Sequence, residues 1–402
     1  MPKPKIISAI DIGTSSIKGL TVIKDANTLE ILSKVNMASF GIRKGVVVNI
    51  DEVSQRISKV IAQMEDESGE KINEIITNIN GSHIFSIPSR GTVVVSRADE
   101  RISAEDIDRV MQAAQAFPLT SNKEILDIFP REFIVDGEGG VREPEGMRGR
   151  RLEVEILALC TFSPYFKNCT NAVLNSDLKI SDIIPSPLAA ARAVLTSQQK
   201  ELGSCVIDIG AGTTGFAAYE EGNLVYAAVL PVGSAHITND IAVFLKTNIE
   251  TAEKIKREYG TCILSNSKGR KDIRVDVQGE ENPIVFSQKD LTGIINDRIS
   301  EIFGEVSKIL KKITPNYVFP GGVVITGGGA KLPKIPEFAK NELKLPCRLG
   351  VCEELKGYDG DHSFSTSAGL ILMALDEHNV KEEPKIENVF SKLKKIFKEF
   401  IP

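Results

Sequence analysis

No C-x-x-C pair occurs among Cys160, Cys169, Cys205, Cys262, Cys347 and Cys352, and no histidine stands at zinc spacing from them. Neither a structural metal nor a disulfide framework is expected, and these cysteines suit buried thiols in a reducing compartment. No stretch of about 18 apolar residues, the length of a spanning helix, interrupts the chain. Its opening, MPKPKIISAI, carries no apolar signal run, so a protein made and kept in the cytoplasm is expected. Excess positive charge is missing too: the net charge of -5 offers nucleic acid no overall attraction. His83, His236, His362 and His378 are scattered, and no G-x-S-x-G accompanies them, so nucleophilic catalysis has no support.

What is present fits a globular protein of two lobes: 402 residues, 42% apolar and 26% charged. Ile10-Asp11-Ile12-Gly13 recurs as Ile207-Asp208-Ile209-Gly210 about half a chain later. Each copy ends an apolar β-like run, turns through small hydroxyl residues into a second run, and meets a polar turn before a third: Asp25-Ala26-Asn27 in one copy, Glu221-Gly222-Asn223 in the other. Apolar spacings of three and four predict helices over Val53 to Met64, Ile241 to Leu245 and Leu291 to Leu310. Between about 83 and 160 the pattern shifts to short strands (Gly91 to Val95, Phe133 to Val135, Leu152 to Leu157) and a helix opened by Ser103 with Asp106 three residues on, as in a capping box. That stretch predicts an inserted α+β subdomain. Its basic run, Arg142 to Arg151, suits a solvated loop or a partner contact.

The repeated loops carry the chemistry. Asp11, Gly13, Thr14, Ser15, Ser16 and Lys18 place a carboxylate at a strand end, a glycine for close backbone approach, hydroxyls on the turn and a cation on the returning strand. Backbone N–H groups of such turns point at phosphate oxygens, Lys18 neutralises charge, and Asp11 would hold the waters of Mg2+. Asp208, Gly210, Gly212, Thr213 and Thr214 repeat the design, so two loops would pinch one triphosphate. Gly210, Gly212 and Gly215 also satisfy G-x-G-x-x-G, but a strand-like run follows where a dinucleotide site needs a helix. A third cluster, Gly327, Gly328 and Gly329, follows the apolar strand Val323 to Ile325 and would let a base or ribose lie on backbone. Glu253 and Lys256 share a face of a predicted helix within reach of a ribose hydroxyl or adenine edge. Together they imply a nucleoside triphosphate, ATP with Mg2+.

The ordered set resembles the actin, sugar-kinase and heat-shock chaperone ATPase superfamily, and within it the bacterial division family FtsA. The resemblance rests on AIDIGTSSIKGLTV, GIRKGVVVNIDE, NINGSHIFSIPSRGTVVVS, RISAEDIDRVMQAAQAF, FIVDGEGGVREPEGMRGRRLEVEILAL, VIDIGAGTTGFAAYEEG, TAEKIKREYG and VITGGGAKLP, and spans nearly the whole chain. It implies an α/β, actin-like bilobal fold of duplicated ribonuclease-H-like lobes. The implied parts are a first lobe core over 1–82 and 160–202 with an inserted subdomain over 83–159, a second lobe core over 203–245 and 318–375 with an outer subdomain over 246–317, a linker over 376–387, and a membrane-targeting amphipathic helix over 388–402. It also implies self-association into protofilaments, binding of the FtsZ C-terminal tail by the outer subdomain, and recruitment of later division proteins at the division site, on the cytoplasmic face of the membrane. Lys289, Arg298, Lys308, Lys311 and Lys312 would offer an acidic tail a basic helix face. MreB-like relatives carry an acid before the proline matching Pro187, orienting the attacking water; here that place is Ser186, so turnover at most slow is expected.

The tail has its own signature. Val389, Phe390, Leu393, Ile396, Phe397, Phe400 and Ile401 gather on one helical face, and Lys392, Lys394, Lys395 and Lys398 on the other. At roughly 21 Å such a helix is too short to cross and would lie in the interface of an anionic membrane, each basic residue contributing about 1 kcal/mol. Rival readings are a type IV pilus assembly protein of the PilM kind, which the basic tail disfavours, and a small-molecule kinase, which would need a carboxylate base that no motif supplies.

Overall fold

The computed structural model describes residues 5–25, 28–264, 272–276, 283–313 and 319–382. The apolar, β-branched run Lys5–Ile12 pairs antiparallel with Ser16–Asp25, from Lys5↔Lys24 to Ile12↔Ile17, and Thr28–Ala38 adds to the outer edge. Glu74–Ile79 and Lys179–Pro185 complete the sheet in parallel, giving the order Lys179–Pro185, Glu74–Ile79, Lys5–Ile12, Ser16–Asp25, Thr28–Ala38. The second sheet repeats this with Cys347–Leu349, Val323–Thr326, Ser204–Ile209, Thr214–Glu220 and Asn223–Leu230. The duplication expected from the sequence echo is therefore present down to strand order. In the second hairpin Glu221 and Gly222 both take positive φ, 51° and 79°, the twist that a tight two-residue connection requires. The matching turn of the first hairpin includes Ala26 and Asn27, outside the described residues.

Helix Ile50–Ser68 contains the predicted Val53 to Met64 and begins where the Asn49 side chain accepts from the Glu52 backbone N–H. It buries Val53, Ile57, Val60 and Met64 on the first sheet. Helices Ser234–Leu245 and Gln288–Ile313 contain the other two predicted periodicities, the latter burying Leu291, Ile295, Ile299, Ile302, Val306 and Leu310. The alanine-rich helix Ser186–Val194 and the helix Ser365–Glu382 pack together between the two sheets, where Ala189, Leu188, Ala368 and Leu372 join side chains of both lobes in one core. The last helix runs through Glu382, so the first part of the stretch 376–387, expected as a linker, is helical instead. Leu370, Ile371, Leu372 and Leu375 are buried beneath it, and the Asp376 carboxylate pairs with Arg192 at 2.6 Å. The predicted amphipathic helix over 388–402, with all its named membrane residues, lies outside the described residues. None of the described helices is long and apolar enough to cross a membrane.

The inserted segment forms a separate sheet in the order Phe85–Val94, Arg151–Phe162, Lys123–Val135, Glu138–Val141, with helix Ala104–Gln115 on one face. The Ser103 hydroxyl accepts from Asp106 N and the Asp106 carboxylate accepts from Ser103 N, completing the capping box. The three strands that the sequence pattern shows are each longer in the structure, and Glu138–Val141 is a fourth that it does not show.

Candidate functional site

The two hairpin loops close in the same way: Gly13 N donates to Ser16 O at 3.1 Å, and Gly210 N to Thr213 O at 2.9 Å. Strand register sets Asp11 directly across from Lys18, whose Nζ lies 3.0 Å from Asp11 Oδ2. From the neighbouring strand, Asn78 donates to Asp11 Oδ1 at 2.9 Å and accepts from Ile12 N at 2.6 Å. The Thr14 hydroxyl accepts from Gly45 N at 2.9 Å, and Ser15 stands exposed at the tip. In the second lobe Thr366 donates to Asp208 Oδ2 at 3.2 Å. Thr214, expected on the ligand side, is fully buried, and its hydroxyl donates to Val232 O at 2.8 Å; it braces the loop from the core.

The lobes bring these loops face to face. A Cβ on Gly212 would lie 2.8 Å from the Thr14 side chain, so only glycine permits the approach. Asn80 Nδ2 donates across the same gap to Thr213 Oγ1 at 3.2 Å. Burial pushes the Asp208 carboxyl up to about 6, and the negative charge of Asp11 pushes the same way, against Lys18 and the Thr366 hydroxyl. Two carboxylates near enough to repel each other, one of them paired with Lys18, are a donor set suited to a hydrated divalent cation.

The glycine cluster closes the other side. Gly327 takes φ 87°, donates to His362 O at 3.1 Å, and lies so near Asp208 that a Cβ would come within 2.2 Å of Oδ1. Gly328 is exposed, whereas Gly329 backs onto Ile209. Glu253 and Lys256 meet the second loop through helix Ser234–Leu245, whose first N–H groups donate to Gly210 O and Ala211 O, each at 2.8 Å. Lys256 donates to Ser234 O at 3.1 Å and Thr238 Oγ1 at 2.7 Å and pairs with Glu253 at 2.6 Å. Burial lowers its pKa, which Glu253 partly offsets.

Ser186, at the head of the helix between the lobes, is 2% exposed; its hydroxyl accepts from Asn78 Nδ2 at 2.8 Å and donates to Ile79 O at 3.3 Å. Asn78, Asn80, Gly45 and Thr366 join the site without having been singled out, as does Gly233, where a Cβ would come within 2.6 Å of Ala211 O. The first two open the segment NINGSHIFSIPSRGTVVVS, at the end of an apolar strand, and nothing local shows what that strand adjoins. Of the basic residues in the outer subdomain, Arg298 is paired with Asp240 and Glu301 and Lys308 with Glu305, while Lys289, Lys311 and Lys312 are exposed.

A family model described as "Cell division protein FtsA" matches residues 205–369, and one described as "SHS2 domain inserted in FTSA" matches residues 81–160. Over 380 residues the chain is 34% identical to "Cell division protein FtsA" of Pseudomonas aeruginosa, covering 93% of this chain and 90% of the relative. The chain belongs to the FtsA family of cell division proteins. The FtsA protein of Neisseria meningitidis serogroup B is 36% identical over 372 residues, covering 91% and 89%, and that of Bacillus subtilis 34% over 376, covering 93% and 84%. Among solved structures, a PilM-PilN type IV pilus biogenesis complex matches at TM-score 0.66 with 15% identity, over 92% of this chain and 98% of that one. MreB5 of Spiroplasma citri bound to ADP matches at 0.58 with 13% identity, over 94% and 99%. At such identities these likenesses show the shared actin-like fold, so the PilM match does not revive the pilus reading over FtsA membership.

Proposed function

We propose that this FtsA-family protein binds ATP with Mg2+ in the cleft between its lobes, assembles into protofilaments on the cytoplasmic membrane face at the division site, tethers FtsZ filaments through their C-terminal tails and recruits later division proteins. The observation that carries the nucleotide part is the meeting of the two hairpin loops, which brings Asp11, paired with Lys18, and Asp208 within electrostatic reach of each other. Gly13, Gly210 and Gly212 supply the backbone approach for phosphates, Lys18 the counter-charge, and Gly327 to Gly329 a surface for base or ribose; Asp11 and Asp208 would hold the metal through its waters. Mg2+ would supply charge neutralisation across the phosphates. The Ser186 hydroxyl already donates to a backbone carbonyl, which leaves no base before Pro187 and supports hydrolysis that is at most slow.

The tether reading rests on family membership and on the apolar and basic faces of residues 388–402. Its test is co-sedimentation with anionic liposomes, with and without ATP and Mg2+, comparing the full chain with one ending at Glu387. Pelleting that needs the last fifteen residues and grows with ATP is the expected outcome; both chains staying in the supernatant at low salt would overturn it.

A further inference from the structure

Asn78 is 1% exposed, and every polar atom of its side chain is bound within the cleft floor. Its Oδ1 accepts from Ile12 N at 2.6 Å, and its Nδ2 donates both to Asp11 Oδ1 at 2.9 Å and to Ser186 Oγ at 2.8 Å. The Asp11 carboxylate is thereby divided: Oδ1 is held by Asn78, while Oδ2 is paired with Lys18. An uncharged amide is the side chain that can do this, since a carboxylate there would repel Asp11 and an apolar residue would leave Oδ1 and the Ser186 oxygen without their donor.

Resting on the ATP reading above, we propose that Asn78 is a positioning residue of this site: it fixes the rotamer of Asp11 so that one defined oxygen meets the hydrated metal of a bound nucleotide, and it holds Ser186 in the floor, away from the cleft. Asn78 would touch neither phosphate nor metal, and its effect would pass through Asp11. The contribution is therefore specific to the metal. Nucleotide without metal relies on Lys18 and on the N–H groups of the turn itself, whereas the backbone bond of Asn78 is to Ile12 N, on the strand before the turn.

The test is calorimetric ATP binding by the full chain, wild type and Asn78→Ala, in excess Mg2+ and in excess EDTA. In the wild type Mg2+ should tighten binding about tenfold or more; in Asn78→Ala the affinity in EDTA should stay within about threefold of wild type while the gain from Mg2+ falls below about threefold, the loss expected when a buried charge-assisted hydrogen bond is removed. A variant that weakens ATP equally in both conditions reports only a structural role and overturns the proposal, as does one that keeps the full Mg2+ gain. A wild type that binds ATP without any Mg2+ gain overturns this proposal alone, whereas one that fails to bind ATP at all overturns the nucleotide reading itself. If Asn78→Ala does not fold, Asn78→Ser, which retains one donor, should show a reduced Mg2+ gain in the same experiment, and an undiminished one overturns the proposal.

Discussion

Two residues beside the cleft show how close packing becomes a measurable quantity. Gly212 allows the second loop to touch Thr14, and a methyl group there would sit at 2.8 Å from that side chain. Gly212→Ala should force the loops apart, weakening ATP binding by about tenfold and lowering stability by about 1–3 kcal/mol, the usual cost of overpacking, as calorimetry and urea unfolding would show. His83 lies nearby: its Nε2 donates to Asn80 O at 3.0 Å, which leaves Nδ1 of the neutral ring to accept from Thr161 Oγ1 at 2.8 Å. Burial pulls its pKa down to about 4, a change that the Asn80 carbonyl only partly opposes. The folded protein keeps His83 neutral between about pH 4 and 6.5, where the unfolded chain binds the proton. Stability is therefore complete above 6.5 and is lost as pH falls toward 4, by about 1–2 kcal/mol after allowing for partial exposure. Urea midpoints from pH 7.5 to 4.5 should fall more steeply in the wild type than in His83→Gln; equal slopes would assign the loss to other groups.

At the scale of elements, the capping box of helix Ala104–Gln115 offers a graded test. Asp106 is completely buried, bonded to Ser103, Ser96 N at 3.0 Å and Arg109. Burial would raise its pKa, but these partners together hold it well below the usual carboxylate range. Ser103→Ala should cost about 1 kcal/mol, the loss of a cap, and Asp106→Ala about 3 kcal/mol because it also removes the pair with Arg109 and leaves the Ser96 N–H without its acceptor, both read from urea unfolding. This cap was legible in the sequence because its partners lie three residues apart. The two Asp-x-Gly hairpins were legible for the same reason, each being a contiguous strand, turn and strand. Lys123–Val135 shows its strand character only near Phe133, since charges and Pro130 break the alternation before it; pairing along the length of Arg151–Phe162 makes the rest a strand. Acid-rich residues after 375 pattern as a linker, yet burial of the preceding leucines carries the helix on to Glu382. In the site, the loops were legible and their braces were not: Asn78 and Thr366 reach Asp11 and Asp208 only through parallel register and a helix from the far end of the chain.

Across the whole molecule, the inserted subdomain joins what its sequence position separates. Its stems leave the first lobe, but it also bonds to the second: Ser86 Oγ donates to Ala227 O at 2.7 Å and accepts from Ala227 N at 3.0 Å, Arg142 donates to Glu221 O at 3.0 Å, and Asn223 Nδ2 donates to Arg131 O at 3.1 Å. Three residues of this seam therefore come from the Asn223–Leu230 strand and the turn before it, the outer hairpin of the second lobe. Any swing that opens the cleft by moving this hairpin from the first lobe has to break them, while a closed cleft keeps them all. Each of these part-exposed bonds is worth about 0.5 kcal/mol, so removing the two Ser86 bonds and the Arg142 bond to Glu221 should lower the cost of opening by about 1.5 kcal/mol. Ser86→Ala combined with Arg142→Glu should then release a fluorescent ATP analogue about ten times faster in stopped-flow chase experiments. An unchanged release rate would mean that the lobes let nucleotide go without parting at this seam, and that the inserted subdomain rides with the second lobe as a passive attachment.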